Sequence, residues 1–360
     1  MFILNRVRAQ LSLDKWRSIG GEGRNSKVWV ACDKQLDQVL VLKEITKKSL
    51  EQQNVENYFL EAKLLNEGNH PHVMPVRYAA EDEENIYITM PYYEKGSINS
   101  LIDQKMLTVR DIVKYSLDFL SGLLYIHIKG MLHLDIKPTN VIINDFDRAI
   151  LTDFGLSRYL DEDGFANQAW QYRYHRSPES YETNDKTVLD DIYQAGLTMY
   201  RMCYGNSVFH GQYQSLLMQK NGDSNQVTAY IKAGAFPDRG YSLPHIPTKL
   251  RNIVKKAIHH DPNKRYQSVL DIINDLSKID EYLDWEYTVN EGATKFSWSY
   301  NKETSIIILN LEEQSSKWVV TGKKHLKSSQ KTQNINKVKG TFNTLEEAFK
   351  HIGLMLVEIY

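Results

Sequence analysis

The period of apolar and polar positions changes along this chain, and three regimes result. Over residues 14–45 the alternation in Lys27-Val28-Trp29-Val30-Ala31 and Gln38-Val39-Leu40-Val41-Leu42 is that of half-buried strands. It predicts three strands, separated by a Gly-rich turn and a polar turn. Residues 50–67 switch to a helical stripe of Phe59, Leu60, Leu64 and Leu65, which Asn69-His70-Pro71 stops. Two more strands follow, the second ending in Ile86-Tyr87-Ile88-Thr89-Met90. From 97 to about 281 the period is mostly helical. The clearest helix is 108–128, with Ile112, Val113, Phe119, Leu120, Leu123 and Leu124 facing inward. Others are predicted over roughly 188–204 and 265–279. A strand-rich small lobe before a helix-rich large one is an α+β order.

After about 282 the pattern changes again. Trp285, Tyr287, Phe296, Trp298 and Tyr300 alternate with polar residues, and Ile306-Ile307-Ile308-Leu309 and Trp318-Val319-Val320 read as strands. Thr344-Leu345-Glu346-Glu347 opens a closing helix, with Thr344 as its cap and Phe349, Ile352 and Leu356 on its apolar face. Residues 283–360 are therefore expected to form a small separate module of sheet plus helix, of unassigned role, and 1–13 an N-terminal extension.

Composition narrows the function classes. With 42% hydrophobic and 25% charged residues the chain reads as a soluble globular protein. Its net charge of −1 gives no global field toward nucleic acid or anionic lipid. Cys32 and Cys203 lack metal-ligand spacing and read as packed thiols. The apolar start Met1-Phe2-Ile3-Leu4 is broken at once by Asn5, Arg6 and Arg8, and no long apolar run follows. The expectation is a cytoplasmic protein with no membrane partner.

The candidate chemistry lies in two segments. His133-Leu134-Asp135-Ile136-Lys137-Pro138-Thr139-Asn140 supplies a carboxylate, an ammonium and an amide within six positions, and Asp153-Phe154-Gly155 adds a second carboxylate before a glycine. Two acids and an amide held this close suit binding Mg²⁺ and steering a hydroxyl toward a phosphate. Upstream, Gly21-Glu22-Gly23-Arg24-Asn25-Ser26-Lys27-Val28 follows the pattern G-x-G-x-x-G-x-V, with Ser26 in place of the third glycine. Alone it could be a flexible hairpin turn. It gains weight from Lys43, whose apolar neighbours Val41 and Leu42 suggest an inward-facing amine.

In these segments, over about residues 14–281, the chain resembles the eukaryotic-type protein kinase family, in the family's order and spacing. The resemblance implies a bilobal fold, with an N-lobe over 14–93 and a C-lobe over 94–281. It implies ATP and Mg²⁺ as cofactors and transfer of the γ-phosphoryl group to serine or threonine hydroxyls of a protein substrate. Asp135 would orient the attacking hydroxyl and accept its proton, and Lys137 would neutralise charge on the transferred group. Asn140 and Asp153 would hold the metal. Lys43 would meet the α/β phosphates and pair with Glu61, for which Glu56 and Glu67 are rivals. Gly21, Gly23 and Ser26 would lie along the triphosphate. Val28 and Val41 would cover the base from above and Ile142 from below. Met90 takes the gatekeeper position. Pro91, Tyr92 and Tyr93 would form the hinge, where the Pro91 carbonyl would accept and the Tyr93 N–H would donate. Glu179 of Ser177-Pro178-Glu179 would pair with Arg265, and Asp191 would bond the catalytic-loop backbone. Leu65, Val76, His133 and Phe154 match the family's stacked apolar column, which makes His133 a packed residue.

The chain departs from the family in three places. Leu134 stands where most members carry an arginine that receives a phosphorylated residue. Residues 156–176 contain no threonine, Ser157 is their one serine, and Asp161-Glu162-Asp163 already carries negative charge. Activity is therefore expected not to depend on activation-segment phosphorylation. Tyr172 falls where serine/threonine kinases place a threonine that bonds the catalytic aspartate and lysine. Lys137 still favours serine/threonine over tyrosine. Arg173, His175 and Arg176 suit either an acidic substrate or internal ion pairs. In the C-terminal stretch, Lys317, Lys323, Lys324, Lys327, Lys331, Lys337 and Lys339 fall among no acids. They could face nucleic acid or an acidic partner, but a solvated lysine loop is the preferred reading, with the aromatic residues as core. The rival functions are a pseudokinase scaffold that binds nucleotide without transfer, and a kinase whose C-terminal module binds nucleic acid.

Overall fold

A computed structural model describes residues 11–19, 26–50 and 70–359. The predicted helix over 50–67, with Glu61 and Leu65, and the glycines Gly21 and Gly23 lie outside the described residues.

The first strands form one antiparallel sheet: β1 (Leu13–Ser18), β2 (Ser26–Asp33), β3 (Gln38–Thr46), β4 (Tyr78–Glu81) and β5 (Asn85–Pro91), in the order β1-β2-β3-β5-β4. Successive side chains on a strand point to opposite faces. On β3, Leu40 and Leu42 therefore pack with Ala31, Trp29, Tyr78 and Tyr87, while Val41, Lys43 and Ile45 turn to the cleft below the sheet. The register aligns Val28 with Lys43 and Val41 with Met90, so the cleft face inherits its residues from three neighbouring strands.

The helical lobe follows, with α1 (Ile98–Gln104) and α2 (Val109–Ile128). The Thr108 side chain accepts from the Asp111 N–H and fixes the start of α2. Short strands β6 (Met131–Leu132), β7 (Val141–Ile143), β8 (Ala149–Leu151) and β9 (Arg158–Tyr159) pair as β6-β9 and β7-β8, and β10 (Ala166–Asn167) pairs with β11 (Asp185–Lys186). Helix α3 (Val188–Tyr204) starts at a capping box of Thr187 and Asp190 and is buried along nearly all its length. Its Gly196 has no room for a side chain: a Cβ there would lie 2.6 Å from Ile258 and 2.8 Å from Ala257. Helices α4 (Asn206–Gln219), α5 (Ser224–Lys232), α6 (Thr248–Ala257) and α7 (Val269–Leu276) complete the lobe. Helix α7 is shorter than its sequence pattern predicts. Ser268 caps it by accepting from the Leu270 N–H, and the residues before it form a short 3₁₀ turn that delivers Arg265 elsewhere.

The remaining chain forms a second antiparallel sheet, β12 (Glu286–Val289), β13 (Lys295–Asn301), β14 (Ser305–Gln314), β15 (Lys317–Leu326) and β16 (Thr332–Asn334), with β17 (Gly340–Phe342) on the other half of β15. Helix α8 (Leu345–Ile359) packs Ala348, Ile352, Met355 and Leu356 against it. At its start, Thr344 Oγ1 accepts from the Glu347 N–H while the Glu347 carboxylate accepts from the Thr344 N–H. The sheet has its own hydrogen-bond ladder but shares its core with the helical lobe: one apolar cluster runs through both. At the seam Trp298 Nε1 donates to His245 Nδ1 at 3.2 Å, and the His245 ring stacks on Tyr287.

Candidate active site

The stretch between β6 and β7 has no strand partner for most of its backbone, so its polar groups are satisfied by side chains. Asp191, in the first turn of α3, accepts from His133 N at 2.8 Å and from Leu134 N at 2.7 Å. Gln194, one turn on, accepts from Ile136 N at 2.8 Å and donates to Leu134 O at 3.0 Å. His127 of α2 joins Asp191 Oδ2 at 2.8 Å. These ties hold Leu134 at φ 64°, and Asp153 stands at φ 63°. Left-handed backbone costs an L-residue about 1–2 kcal/mol. The predicted role of Asp191 thus has its geometry. Gln194 and His127 are additional ties. Gln194 had a signal in the sequence, three positions after Asp191 and hence on the same helix face. His127 had none.

This scaffold gathers Asp135, Lys137 and Asn140 at the cleft floor, each less than a tenth exposed. Asp135 Oδ2 accepts from Asn140 Nδ2 at 2.9 Å and lies 3.1 Å from Lys137 Nζ. Its other oxygen, Oδ1, is buried and finds no hydrogen-bond partner among the described residues. Burial pushes the Asp135 carboxyl up, against the pull of Lys137 and Asn140, to about 6. His133 accepts at Nδ1 from Asp135 N and meets Thr152 O through Nε2, while its ring lies 4.7 Å from Phe154. Burial lowers its pKa, so it is the packed neutral residue expected.

Across the cleft, Lys43 Nζ lies 2.7 Å from Asp153 Oδ1. Burial acts to raise the Asp153 carboxyl, but the Lys43 ammonium outweighs it and the group stays well ionised. Gly155 lies close to this pair: a Cβ on it would be 3.3 Å from Lys43 Nζ and 3.4 Å from Asp153 Oδ1. Glu61 falls outside the described residues; among those described, Asp153 brings a carboxylate to Lys43.

Ser26, Val28, Val41, Met90, Pro91, Tyr93 and Ile142 all line the same cleft. On β7 the alternation buries Val141 and Ile143 and turns Ile142 outward. The cleft holds about 1610 Å³. Small-ligand pockets run to roughly 300–1,000 Å³, so it has space beyond a nucleotide. The residues fit a magnesium nucleotide: an apolar slot lies at one end, Lys43 beside it, and the Asp153 carboxylate and Asn140 amide at the other. Two protein ligands suit Mg²⁺, which keeps waters and takes phosphate oxygens for the rest.

The substrate-side segment leaves the floor after Gly155. Arg265 grips Glu179 with two bonds of 2.5 and 2.6 Å, and also donates to the carbonyls of Leu189 and His259. Arg173 donates to the Tyr213 hydroxyl at 2.9 Å, Arg176 to the Ser180 carbonyl, and the buried His175 contacts Ile136 O and Arg201. All three meet partners within the protein, but these are a hydroxyl, backbone carbonyls and a guanidinium rather than the carboxylates of the expected ion pairs. The acidic run also folds on itself: Asp161 Oδ1 accepts from the N–H groups of Asp163 and Phe165. Tyr172, at the position where the resemblance expects a threonine beside the catalytic lysine, instead puts its ring 4.4 Å from Lys137 Nζ.

The family described as protein kinase domain matches residues 15–276. The chain is 23% identical to serine/threonine-protein kinase PknD of Protochlamydia amoebophila over 344 residues, covering 83% of this chain and 34% of that protein. It is 25% identical to serine/threonine-protein kinase ULK3 of Xenopus laevis over 249 residues, covering 68% and 51%. It is 28% identical to serine/threonine-protein kinase PknD of Chlamydia muridarum over 289 residues, covering 70% and 30%. The chain spans about a third to a half of the length of these curated relatives. With its antiparallel small lobe, helical large lobe and shared cleft, the chain belongs to the protein kinase family, as a relative of serine/threonine-protein kinases.

Proposed function

We propose that this chain transfers the γ-phosphoryl group of Mg²⁺-bound ATP to serine or threonine hydroxyls of a protein substrate. In this reading residues 14–281 are the kinase domain, 283–360 an accessory unit docked on its helical lobe, and the setting cytoplasmic. One observation carries it. Asp135, which lines the cleft, keeps one carboxylate oxygen bound by Lys137 and Asn140, while the other is buried and has no hydrogen-bond partner among the described residues. An unpaired buried acceptor costs about 1–3 kcal/mol, and an incoming hydroxyl would satisfy it.

When bound, the metal would supply positive charge against the phosphates. Asp153 and Asn140 would hold it, and Lys43 would bind the phosphates nearer the base. Val28, Val41 and Ile142 would sandwich the adenine, with Met90 at the back and the Pro91–Tyr93 backbone at its edge. Asp135 Oδ1 would orient the substrate hydroxyl and take its proton, while Lys137 would balance the charge moving with the phosphoryl group. The intact set of polar groups favours transfer over a scaffold that binds nucleotide without it.

The test is incubation with labelled ATP, Mg²⁺ and a generic protein substrate. Asp135→Asn is expected to cut transfer by about 10²–10⁴ while nucleotide affinity by calorimetry stays close to that of the unmodified protein. Equal transfer by both proteins sinks the assignment of Asp135. No transfer by either, with nucleotide bound, points to the scaffold. The nucleic-acid alternative has less support: Trp285, Tyr287, Phe296 and Trp298 are buried and offer no stacking platform.

A further inference from the structure

The ring of Tyr172 lies with its centroid 4.4 Å from Lys137 Nζ, at a site where Lys137 is 7% exposed. A cation over an aromatic face is attracted by the ring quadrupole, more strongly where water is excluded. The ring is braced rather than dangling. It packs against Tyr174 at 5.5 Å and His175 at 5.7 Å, and His175 is pinned to the Ile136 carbonyl of the catalytic loop at 2.8 Å. The ammonium thus sits between the Asp135 carboxylate, 3.1 Å away, and an aromatic surface fixed to the same loop.

We propose that Tyr172 is a positioning residue, its ring face holding the Lys137 ammonium beside Asp135 in the place where the resembling family uses a threonine hydroxyl. The chemistry differs in kind. A hydroxyl holds a lysine by taking one directional N–H. A ring holds the charge without demanding a particular N–H, so the ammonium can turn its donors toward the phosphoryl oxygens as they develop charge. The contact is made by the π face of Tyr172. Bulk alone does not suffice, so leucine is no substitute while phenylalanine is. The role rests on the kinase reading above, because the charge that Lys137 balances is that of a transferred phosphoryl group.

The experiment compares Tyr172→Leu with Tyr172→Phe in the full chain. Leucine fills the space without a ring and is expected to lower kcat by on the order of tenfold, with the KM for ATP little changed. Phenylalanine is expected to recover most of that loss. In a Lys137→Ala background the leucine substitution should cost much less, since the lysine through which it acts is gone. A second readout does not depend on turnover: with labelled lysine, the ring current of residue 172 should shift the Lys137 ε-methylene resonance in the unmodified and Phe proteins and not in the Leu protein. Equal kcat for Leu and Phe, or full additivity with Lys137→Ala, overturns the positioning role. A resonance that ignores the leucine substitution overturns the contact itself. If the unmodified protein transfers no phosphate, the catalytic reading falls, and the resonance alone then decides whether the ring holds the ammonium.

Discussion

The catalytic loop and the segment that leaves it are built next to each other by opposite means. The loop is tied down by polar side chains: Asp191 and Gln194 meet four of its backbone groups between His133 and Ile136. The segment from Leu156 to Ala166 is held mainly by apolar contact, alongside bonds from Ser157 Oγ to the His133 carbonyl and from Gln168 Nε2 to the Leu156 carbonyl. Leu132 and Leu134 are fully buried with Ala166, and Leu156, Leu160 and Val188 close around them. The short pairings of β9 with β6 and β10 with β11 add a few backbone bonds. Leu134 belongs to both systems. Its backbone is clamped by α3, and its side chain forms the centre of the apolar cluster. A member with arginine there would need a negative partner to settle the charge; this chain has the apolar cluster instead. We therefore expect order in the segment not to depend on modification.

The polar side of the comparison breaks first. Asp191→Ala leaves the buried N–H groups of His133 and Leu134 without acceptors. The loss is expected to be roughly 3–5 kcal/mol, read as a fall in the urea midpoint, with transfer falling as well. An unchanged midpoint would mean the loop holds its shape without α3.

On the apolar side, Leu134→Arg puts a guanidinium among Leu132, Leu156, Leu160 and Ala166. We expect about 2–3 kcal/mol of destabilisation and reduced transfer, and no rescue by phosphorylation, because residues 156–176 offer one serine and no threonine. Phosphatase treatment of the unmodified protein should leave its rate intact. A rate abolished by phosphatase would show that the cluster alone does not order the segment.

Next to Leu134 stands Asp135, whose carboxyl burial raises to about 6. Only its ionised form can accept a proton, so kcat/KM should climb as pH rises through about 6. The sign for stability is opposite. A raised acid favours the folded state below the ordinary value of 3.8, and that contribution is lost as pH rises through about 6. An acidic limb well below 5 would place the base elsewhere.

How much of this was legible in the sequence depends on the kind of interaction. Strands with period 2, the helices over 108–128 and 188–204 and the order of the lobes follow from apolar spacing, and the structure has them. The residues at the cleft floor were legible because their types are chemically demanding and close together in the chain. Tyr172 was legible only as a departure. Its partner lies 35 positions away, and nothing in the local pattern says that a ring will face an ammonium. Arg173 and Arg176 were open between substrate and internal roles, since a guanidinium in sequence does not reveal its acceptor; Tyr213 and Ser180 supply it here. The C-terminal sheet was legible as strands and helix. Its shared core with the helical lobe was not, because Trp298 and His245 come from distant segments and meet only after folding.

That seam supplies the finest comparison, since it carries an ion pair of the same type as the one that closes the activation segment. Arg110 donates to both oxygens of Asp284 at 2.5 and 2.9 Å, as Arg265 does to Glu179 at 2.5 and 2.6 Å. Geometry does not separate them; water does. The Arg265 side chain is fully buried, and it serves three carbonyls besides Glu179. The Arg110 and Asp284 side chains are 56% and 39% exposed. Solvent screens such a pair, and ordering two side chains offsets much of its attraction, so exposed pairs contribute about 0.2–1 kcal/mol. Arg110→Ala should therefore move the urea midpoint only slightly, and less still in high salt, and should leave transfer unaltered. A loss comparable to that of Asp191→Ala would mean that this one pair, rather than the buried Trp298, Tyr287 and His245 contacts, holds the sheet on the lobe.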